Sequence, residues 1–274
     1  LTCCNLYISS NGGLTWEIFD TPDTLWSTPD DIEDFHIQND TMFFLYPNYI
    51  ALTPNFGNTW YYRYTPGNNN STITVHNSRI YLHADSMYYT DNYAVSWETL
   101  PVLPSINSND EDGELFIFQD TLFAFTDDGW LFRYNNQSSF WDSCCAYGFL
   151  GSHICQFDNK ILIGTGGHMY ISYDNGHNWS EIIPNGLPPG SLNPICPEVI
   201  TEANGVWFGD IEDSYFDDYY GIYYSLDEGV NWQLLDNNLP PFKPSVPLVV
   251  QDGIIFAGTN YESVWKRDGD FRNY

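Results

Sequence analysis

An eight-residue pattern, Ser/Thr-x-Asp/Asn-x-Gly-x-x-Trp, recurs six times along this chain and constrains its fold more than any other feature. The copies run Ser9–Trp16, Thr53–Trp60, Thr90–Trp97, Tyr134–Trp141 (the weakest), Ser172–Trp179 and Ser225–Trp232. The Asx positions are Asn11, Asn55, Asn92, Asn136, Asp174 and Asp227, and the closing aromatics are Trp16, Trp60, Trp97, Trp141, Trp179 and Trp232. An Asp or Asn side chain accepts backbone N–H groups across a tight turn, and Gly supplies the left-handed conformation that such a turn demands. The Trp opening the next strand then buries a large ring over the turn. Six of the ten Trp residues sit at this one position, so the aromatic richness is mostly repeated structure.

Steps of 44, 37, 44, 38 and 53 residues separate these Trp residues, which is the spacing of propeller blades. The intervals read the same way. Short β-branched and aromatic segments come in pairs before each turn: 41–46 with 49–53, 79–83 with 87–90, 121–126 with 130–134, 160–165 with 168–172, and 206–209 with 221–225. An inner strand precedes each of these five pairs, at 35–37, 73–76, 114–118, 153–157 and 198–201, and a sixth inner strand is expected at 246–250. Nothing sustains a 3.6-residue period, so an all-β chain is expected.

The turn pattern resembles the Asp-box, or BNR repeat, of sialidases, sortilin-like receptors, xyloglucan-hydrolysing glucanases and photosystem II assembly factors. The resemblance covers nearly the whole chain and implies a β-propeller of four-stranded antiparallel blades. It also implies that each box closes the hairpin between third and fourth strands, away from the ligand face. The box residues are therefore structural, and the family resemblance is specific for fold rather than function. A single propeller domain over residues 1–274 is the expectation, truncated at one or both ends. Residues 1–20 supply only a third and fourth strand, and Tyr274, 42 residues after Trp232, reads as the aromatic of a seventh, decayed box. Seven blades, the first incomplete and lacking an inner pair upstream of Leu1, is the favoured count. Six blades, closed by pairing the N-terminal hairpin with the C-terminal inner strands, is the alternative. The missing initiator Met agrees with a trimmed or processed start.

Charge narrows the partners. Eight Lys and Arg face 36 Asp and Glu, a net charge of −28, so a nucleic acid or an anionic membrane surface would be repelled. No stretch approaches the ~18 apolar residues of a transmembrane segment. The scarcity of Lys and five N-x-Ser/Thr sequons (Asn39, Asn69, Asn70, Asn136, Asn178) fit an extracellular or cell-surface setting. Six cysteines (Cys3, Cys4, Cys144, Cys145, Cys155, Cys196) suit disulfides there, with Cys155 and Cys196, on inner strands of consecutive repeats, as the candidate pair. Zinc at Cys144, Cys145, His153 and Cys155 is a competing reading, disfavoured because adjacent strand residues point to opposite faces.

The ligand face should be built from the links and insertions opposite the boxes. The 21–34 link carries Trp26 and ends in acids, and the 53-residue step locates an insertion at 210–220. Asp210, Glu212, Asp213, Asp217 and Asp218 offer oxygens for Ca²⁺, the one cofactor the sequence suggests, although no EF-hand spacing is present. Tyr215, Phe216, Tyr219 and Tyr220 between them suit stacking on sugars or anchoring a protein. A solvated acidic loop is the bland reading of the same residues. No catalytic residue is singled out. The three convergent arginines of sialidases have no counterpart, because Arg63 and Arg133 fall on outer and third strands. The expected function is a non-enzymatic secreted or surface module that binds a protein or glycan, itself one part of a larger chain or assembly. A polysaccharide-active glycoside hydrolase working through paired carboxylates is the alternative.

Overall fold

The computed structural model describes residues 7–19, 32–67, 71–104, 113–126, 129–144, 153–157, 159–165, 168–188, 199–203, 205–213, 218–235, 246–251, 254–258 and 264–268. All of the regular structure in them is β-strand. The chain divides into two compact units, Leu1–Ser143 and Cys144–Tyr274, which are described in turn.

The first unit opens with a hairpin, β1 (Tyr7–Ile8) and β2 (Glu17–Ile18). Three four-stranded antiparallel meanders follow. They are β3 (Asp34–Gln38), β4 (Thr41–Tyr46), β5 (Tyr49–Thr53) and β6 (Tyr61–Tyr64); β7 (Thr72–His76), β8 (Arg79–His83), β9 (Met87–Thr90) and β10 (Glu98–Thr99); and β11 (Gly113–Phe118), β12 (Thr121–Thr126), β13 (Leu131–Asn135) and β14 (Phe140–Ser143). The second unit holds β15 (His153–Phe157), β16 (Lys160–Thr165), β17 (His168–Ser172) and β18 (Ser180–Ile182); β19 (Val199–Ala203), β20 (Val206–Asp213), β21 (Asp218–Ser225) and β22 (Trp232–Leu234); and a three-stranded sheet of β23 (Val246–Gln251), β24 (Ile254–Gly258) and β25 (Val264–Asp268). Seven sheets are thus present among the described residues, five of them four-stranded and the first and last shorter.

Sheets within a unit stack by apolar faces. Phe43, Leu45, Ile50 and Leu52 of one sheet bury Ile73, Val75, Ile80 and Leu82 of the next. In the second unit Leu162, Met169 and Ile171 pack on Trp207, Ile211, Tyr223 and Trp232. The inner strands β3, β7 and β11 run side by side, as do β15, β19 and β23.

Each repeated turn is a small hydrogen-bond network, and its most buried polar group is the Ser or Thr. Thr53, Thr90, Ser172 and Ser225 are all at most 2% exposed. Ser225 Oγ accepts the Gly229 N–H (2.9 Å) and donates to Asp227 Oδ1 (2.9 Å). That carboxylate accepts the Asn231 N–H (2.8 Å) and the Asn231 amide (2.6 Å). Ser172, Asp174 and Asn178 repeat these bonds at 2.9, 3.0, 2.7 and 2.6 Å. The turn centre is left-handed at two successive residues, as at Glu228 (φ 54°) and Gly229 (φ 83°). Ser225→Ala strands the buried Gly229 N–H and is expected to cost about 1–3 kcal/mol in urea unfolding. A loss under ~0.5 kcal/mol would contradict this role.

The fourth turn departs from the pattern. There Asn135, not Asn136, caps the turn, its Oδ1 accepting the N–H groups of Gln137 (3.0 Å) and Ser138 (3.2 Å). There β13 and β14 pair one residue beyond the Tyr134–Trp141 position, at Asn135 and Phe140. The closing Trp residues also do more than cover their own turns. Among the described residues, only Trp232 donates back to its turn, at Gly229 O (2.8 Å). Trp141 Nε1 reaches Pro101 O and Trp179 Nε1 reaches Cys144 O, both at 2.8 Å, so these rings tie one repeat to the chain of the repeat before.

Candidate functional site

Strand direction sorts the ends of each sheet. Inner strands start, and fourth strands finish, on the side where second and third strands connect; the repeated turns lie on the other side. The first side of unit 1 carries two features that the sequence reading did not single out.

The first is aromatic. β6 is an outer strand reading Tyr-Tyr-Arg-Tyr, and its end pairs with the start of β5 through Tyr49 and Tyr64. Tyr49, Tyr62, Arg63 and Tyr64 line a hollow of about 230 Å³. Tyr64 is 83% exposed, while Tyr49 is held from behind by a parallel stack on buried Tyr46 (4.4 Å between centroids). Arg63 donates to Tyr62 O (2.8 Å) and lies over the Tyr61 ring (5.4 Å), which fixes its stem along the strand. Tyrosines on a paired strand offer wide contact area at little entropic cost. Their presence in a short strand-like run concealed this; only the count of four aromatic or cationic residues together hinted at it.

The second is acidic. Hairpin registers place Asp34, Thr72 and Glu114 at equivalent positions near the starts of β3, β7 and β11. Asp34 accepts the N–H of Ile73 (2.8 Å) and of Phe35 (2.7 Å), and Thr72 Oγ1 accepts the Leu115 N–H (3.2 Å), so these side chains lace adjacent inner strands. Desolvation raises the Asp34 carboxyl above its ordinary range, against the pull of its two N–H donors. Glu114 reaches water yet is crowded by protein, and that desolvation, with the Asp34 charge second, raises its carboxyl too. His36, two residues along β3, is lowered by burial. A carboxyl with a raised folded-state pKa favours the fold while protonated and loses that contribution as pH climbs through the folded value. Glu114→Gln should therefore raise the thermal midpoint at pH 7, with the gain fading below about pH 4 where the unfolded chain's carboxyl is also protonated. A variant less stable than the parent at pH 7 would refute this.

The 210–220 insertion is largely strand rather than loop. β20 and β21 run on as a longer hairpin than expected, with a register shift between Ile211 and Glu212, pairing Glu212 with Tyr219 and Asp213 with Asp218. The fully buried Ile211 anchors the extension, Asp210 is itself buried, and Tyr220 packs against the cluster around Trp207 and Tyr223 instead of projecting. Asp217, Tyr215, Phe216 and Trp26 lie outside the described residues, as does Cys196; Cys155 is half-buried on β15. Among the described residues no group of three His, Cys, Asp or Glu side chains is placed to hold a metal ion. Among the described residues of the first unit the arginines do not converge: Arg79 makes a two-bond pair with Asp91 (2.7 and 2.8 Å), and Arg133 sits by Asp142 in another sheet. A larger hollow of about 560 Å³ in unit 2 lies over the Asp227 turn. Asn185 is stapled there by Val230 O and the Trp232 N–H, so its walls serve the fold.

No family model and no curated protein matches the chain. Solved structures do. YCF48 bound to a D1 peptide is 15% identical, covering 97% of this chain and 87% of its own, with a TM-score of 0.68. YCF48 from Cyanidioschyzon merolae is 12% identical, covering 100% and 90%, with a TM-score of 0.69. The fold is a β-propeller. A GH74 enzyme from Niastella koreensis shares it at 12% identity and a TM-score of 0.57, over 85% of this chain and 36% of that one. At such identities the likeness concerns fold alone.

Proposed function

We propose that this chain is an Asp-box propeller, secreted or displayed at a cell surface, that binds a protein partner through the acidic, aromatic side of its sheets. The observation that carries the reading is the exposed Tyr49, Tyr62, Arg63 and Tyr64 hollow, since Tyr and Arg held on rigid backbone are the composition of binding hot spots. Two further observations support it. A net charge of −28 favours a basic partner surface and fast, salt-sensitive association. One propeller of the same fold, YCF48, is known with a bound peptide. Trp26 is proposed to extend this side of the first unit, and Tyr215, Phe216 and Tyr219 to give the second unit an aromatic surface of its own, with a Cys155–Cys196 bond stiffening the second unit.

A hydrolase is the second reading, favoured by the two carboxyls raised together at Asp34 and Glu114. Against it, both Asp34 oxygens accept backbone N–H groups, which gives that carboxylate a structural role in lacing β3 to β7. Affinity capture from the native source and a glycan array, each run with the parent and with Glu114→Gln, separate the readings. A captured protein bound equally by both supports the module. Polysaccharide cleavage abolished by Glu114→Gln would replace it with the hydrolase.

A further inference from the structure

One outer strand carries a cation where its counterparts bury leucine. Leu100 and Leu235, each three residues past a closing Trp, donate their N–H groups to Met87 O and Ile222 O (both 2.8 Å) and are 3% and 4% exposed. Arg63 holds the same place in β6, three residues past Trp60 and opposite Ile50. Its head is turned outward: Nη1 donates to Tyr62 O (2.8 Å), and the guanidinium lies over the Tyr61 ring. Arg79 and Arg133 stand 2.7 and 3.9 Å from the carboxylates of Asp91 and Asp142, but among the described residues no carboxylate pairs with Arg63.

The register of β6 shows which of its backbone groups face away from the sheet. Arg63 matches Leu100, whose N–H bonds inward, and Thr65 N–H bonds inward to Asn48 O (3.1 Å). Tyr62 and Tyr64 alternate with them, so their N–H and C=O groups point off the outer edge. The reach of Arg63 to Tyr62 O marks that edge, and no described strand pairs with it. Other outer strands are blunted: β10 and β18 are shorter and carry Glu98 and Glu181, β14 carries Asp142, and β22 is three residues long. β6 is four residues without an acid, and its one charge is Arg63, folded over the edge it covers.

We propose that β6 is a docking strand: an extended segment of the protein partner adds antiparallel to its outer edge, with an Asp or Glu side chain opposite Arg63. This rests on the reading of the Tyr62 and Tyr64 surface as the protein-binding site, and names how the partner is held there. Backbone groups of the segment bond those of Tyr62 and Tyr64, and one of its N–H groups replaces the guanidinium at Tyr62 O. Arg63 lies between these two bonded residues, where facing residues of an antiparallel pair come closest, about 4.5 Å between Cα atoms. The released guanidinium then takes a carboxylate in a two-bond pair. Residues flanking that acid face the hollow of Tyr49, Tyr62 and Tyr64, whose rings suit lysine stems and ammonium heads. The net charge of −28 favours lysines around the one acid and repels a second copy of this chain.

The test titrates short capped peptides into the nitrogen-labelled chain and follows the Tyr62 and Tyr64 amide signals. The peptides alternate valine and lysine, with the central valine replaced by glutamate or by lysine. The glutamate peptide should bind saturably and at least about tenfold more tightly than the lysine peptide, and Arg63→Glu should invert that preference. Backbone methylation supplies a readout that needs no variant. Methylating the amides of the two lysines beside the glutamate removes the donors to β6 and should abolish binding, whereas methylating the glutamate amide, which faces away, should leave it within about threefold. No saturable binding, a preference unmoved by Arg63→Glu, indifference to which amides are methylated, or self-pairing of the chain through β6 would each overturn the docking strand. Tyr62→Ala with Tyr64→Ala tells this failure from that of the site. If the native partner still needs those rings while the peptides fail, the surface stands and strand addition falls; if it does not need them, both fall.

Discussion

Gly229→Ala is expected to destabilise the second unit by roughly 3 kcal/mol or more, most of it from a collision rather than from the backbone. Gly229 sits at φ +83°, where Ala costs about 1 kcal/mol. The added Cβ would also lie 2.7 Å and 3.0 Å from two atoms of the Trp207 ring and 3.3 Å from Met169 Cε. Trp207 is 1% exposed and has no room to retreat. Gly205 separates the two causes: at φ +80° it has nothing within 4 Å of a Cβ. Gly205→Ala should lose only the ~1 kcal/mol of strain. Denaturant melts of the two variants side by side decide the matter, and equal losses would mean that the turn glycine serves its conformation alone.

Trp207→Ala is expected to cost about 3–5 kcal/mol, as large a loss as any single substitution here. Trp207 is among the largest fully buried side chains, meets Phe157 edge-on at 5.1 Å, and roofs the Gly229 turn. Its removal leaves a cavity between Met169, Ile211 and Trp232 that the paired strands cannot collapse to fill. The two substitutions are coupled. Combined with Trp207→Ala, the change Gly229→Ala should cost only its ~1 kcal/mol of strain, because the ring it strikes is gone. Strict additivity in the double variant would refute the packing described for this turn.

How much of this was legible in the sequence depends on the range over which each residue acts. The Ser225–Trp232 and Ser172–Trp179 turns are local: acceptor, Gly and donor lie within eight residues, so pattern alone gives their chemistry. Paired strands such as 41–46 and 49–53 are legible for the same reason, and the structure returns those bounds unchanged. Asn135 displaced Asn136 in the fourth copy, which lacks both the opening Ser/Thr and the Gly; the third copy lacks only the Gly, with Ala94 at φ 62°, and still caps at Asn92. The 210–220 segment read as a loop because its acids mask an alternation; the buried Ile211 and the pairing of Glu212 with Tyr219 show a strand that two sheets of core extend. Non-local partners left no sequence signal. Asp34 meets Ile73 and Glu114 only because three inner strands run side by side, and Trp141 meets Pro101 forty residues back. The Tyr62 and Tyr64 surface was hidden by its own regularity, since aromatic residues are also what a strand uses.

The proposed site rests on side chains whose removal should leave the fold alone. Tyr62 is 38% and Tyr64 83% exposed, and both stand on an outer strand, so Tyr62→Ala with Tyr64→Ala should unfold at nearly the parent temperature. The decisive measurement is the affinity of this double variant for the protein partner captured from the native source, set against the parent at low and physiological salt. A loss of about 100-fold or more, with the parent's own affinity falling as salt rises, is the result the binding-module account predicts. Affinity equal to the parent's at both salt concentrations, in a variant shown to be folded, would contradict it.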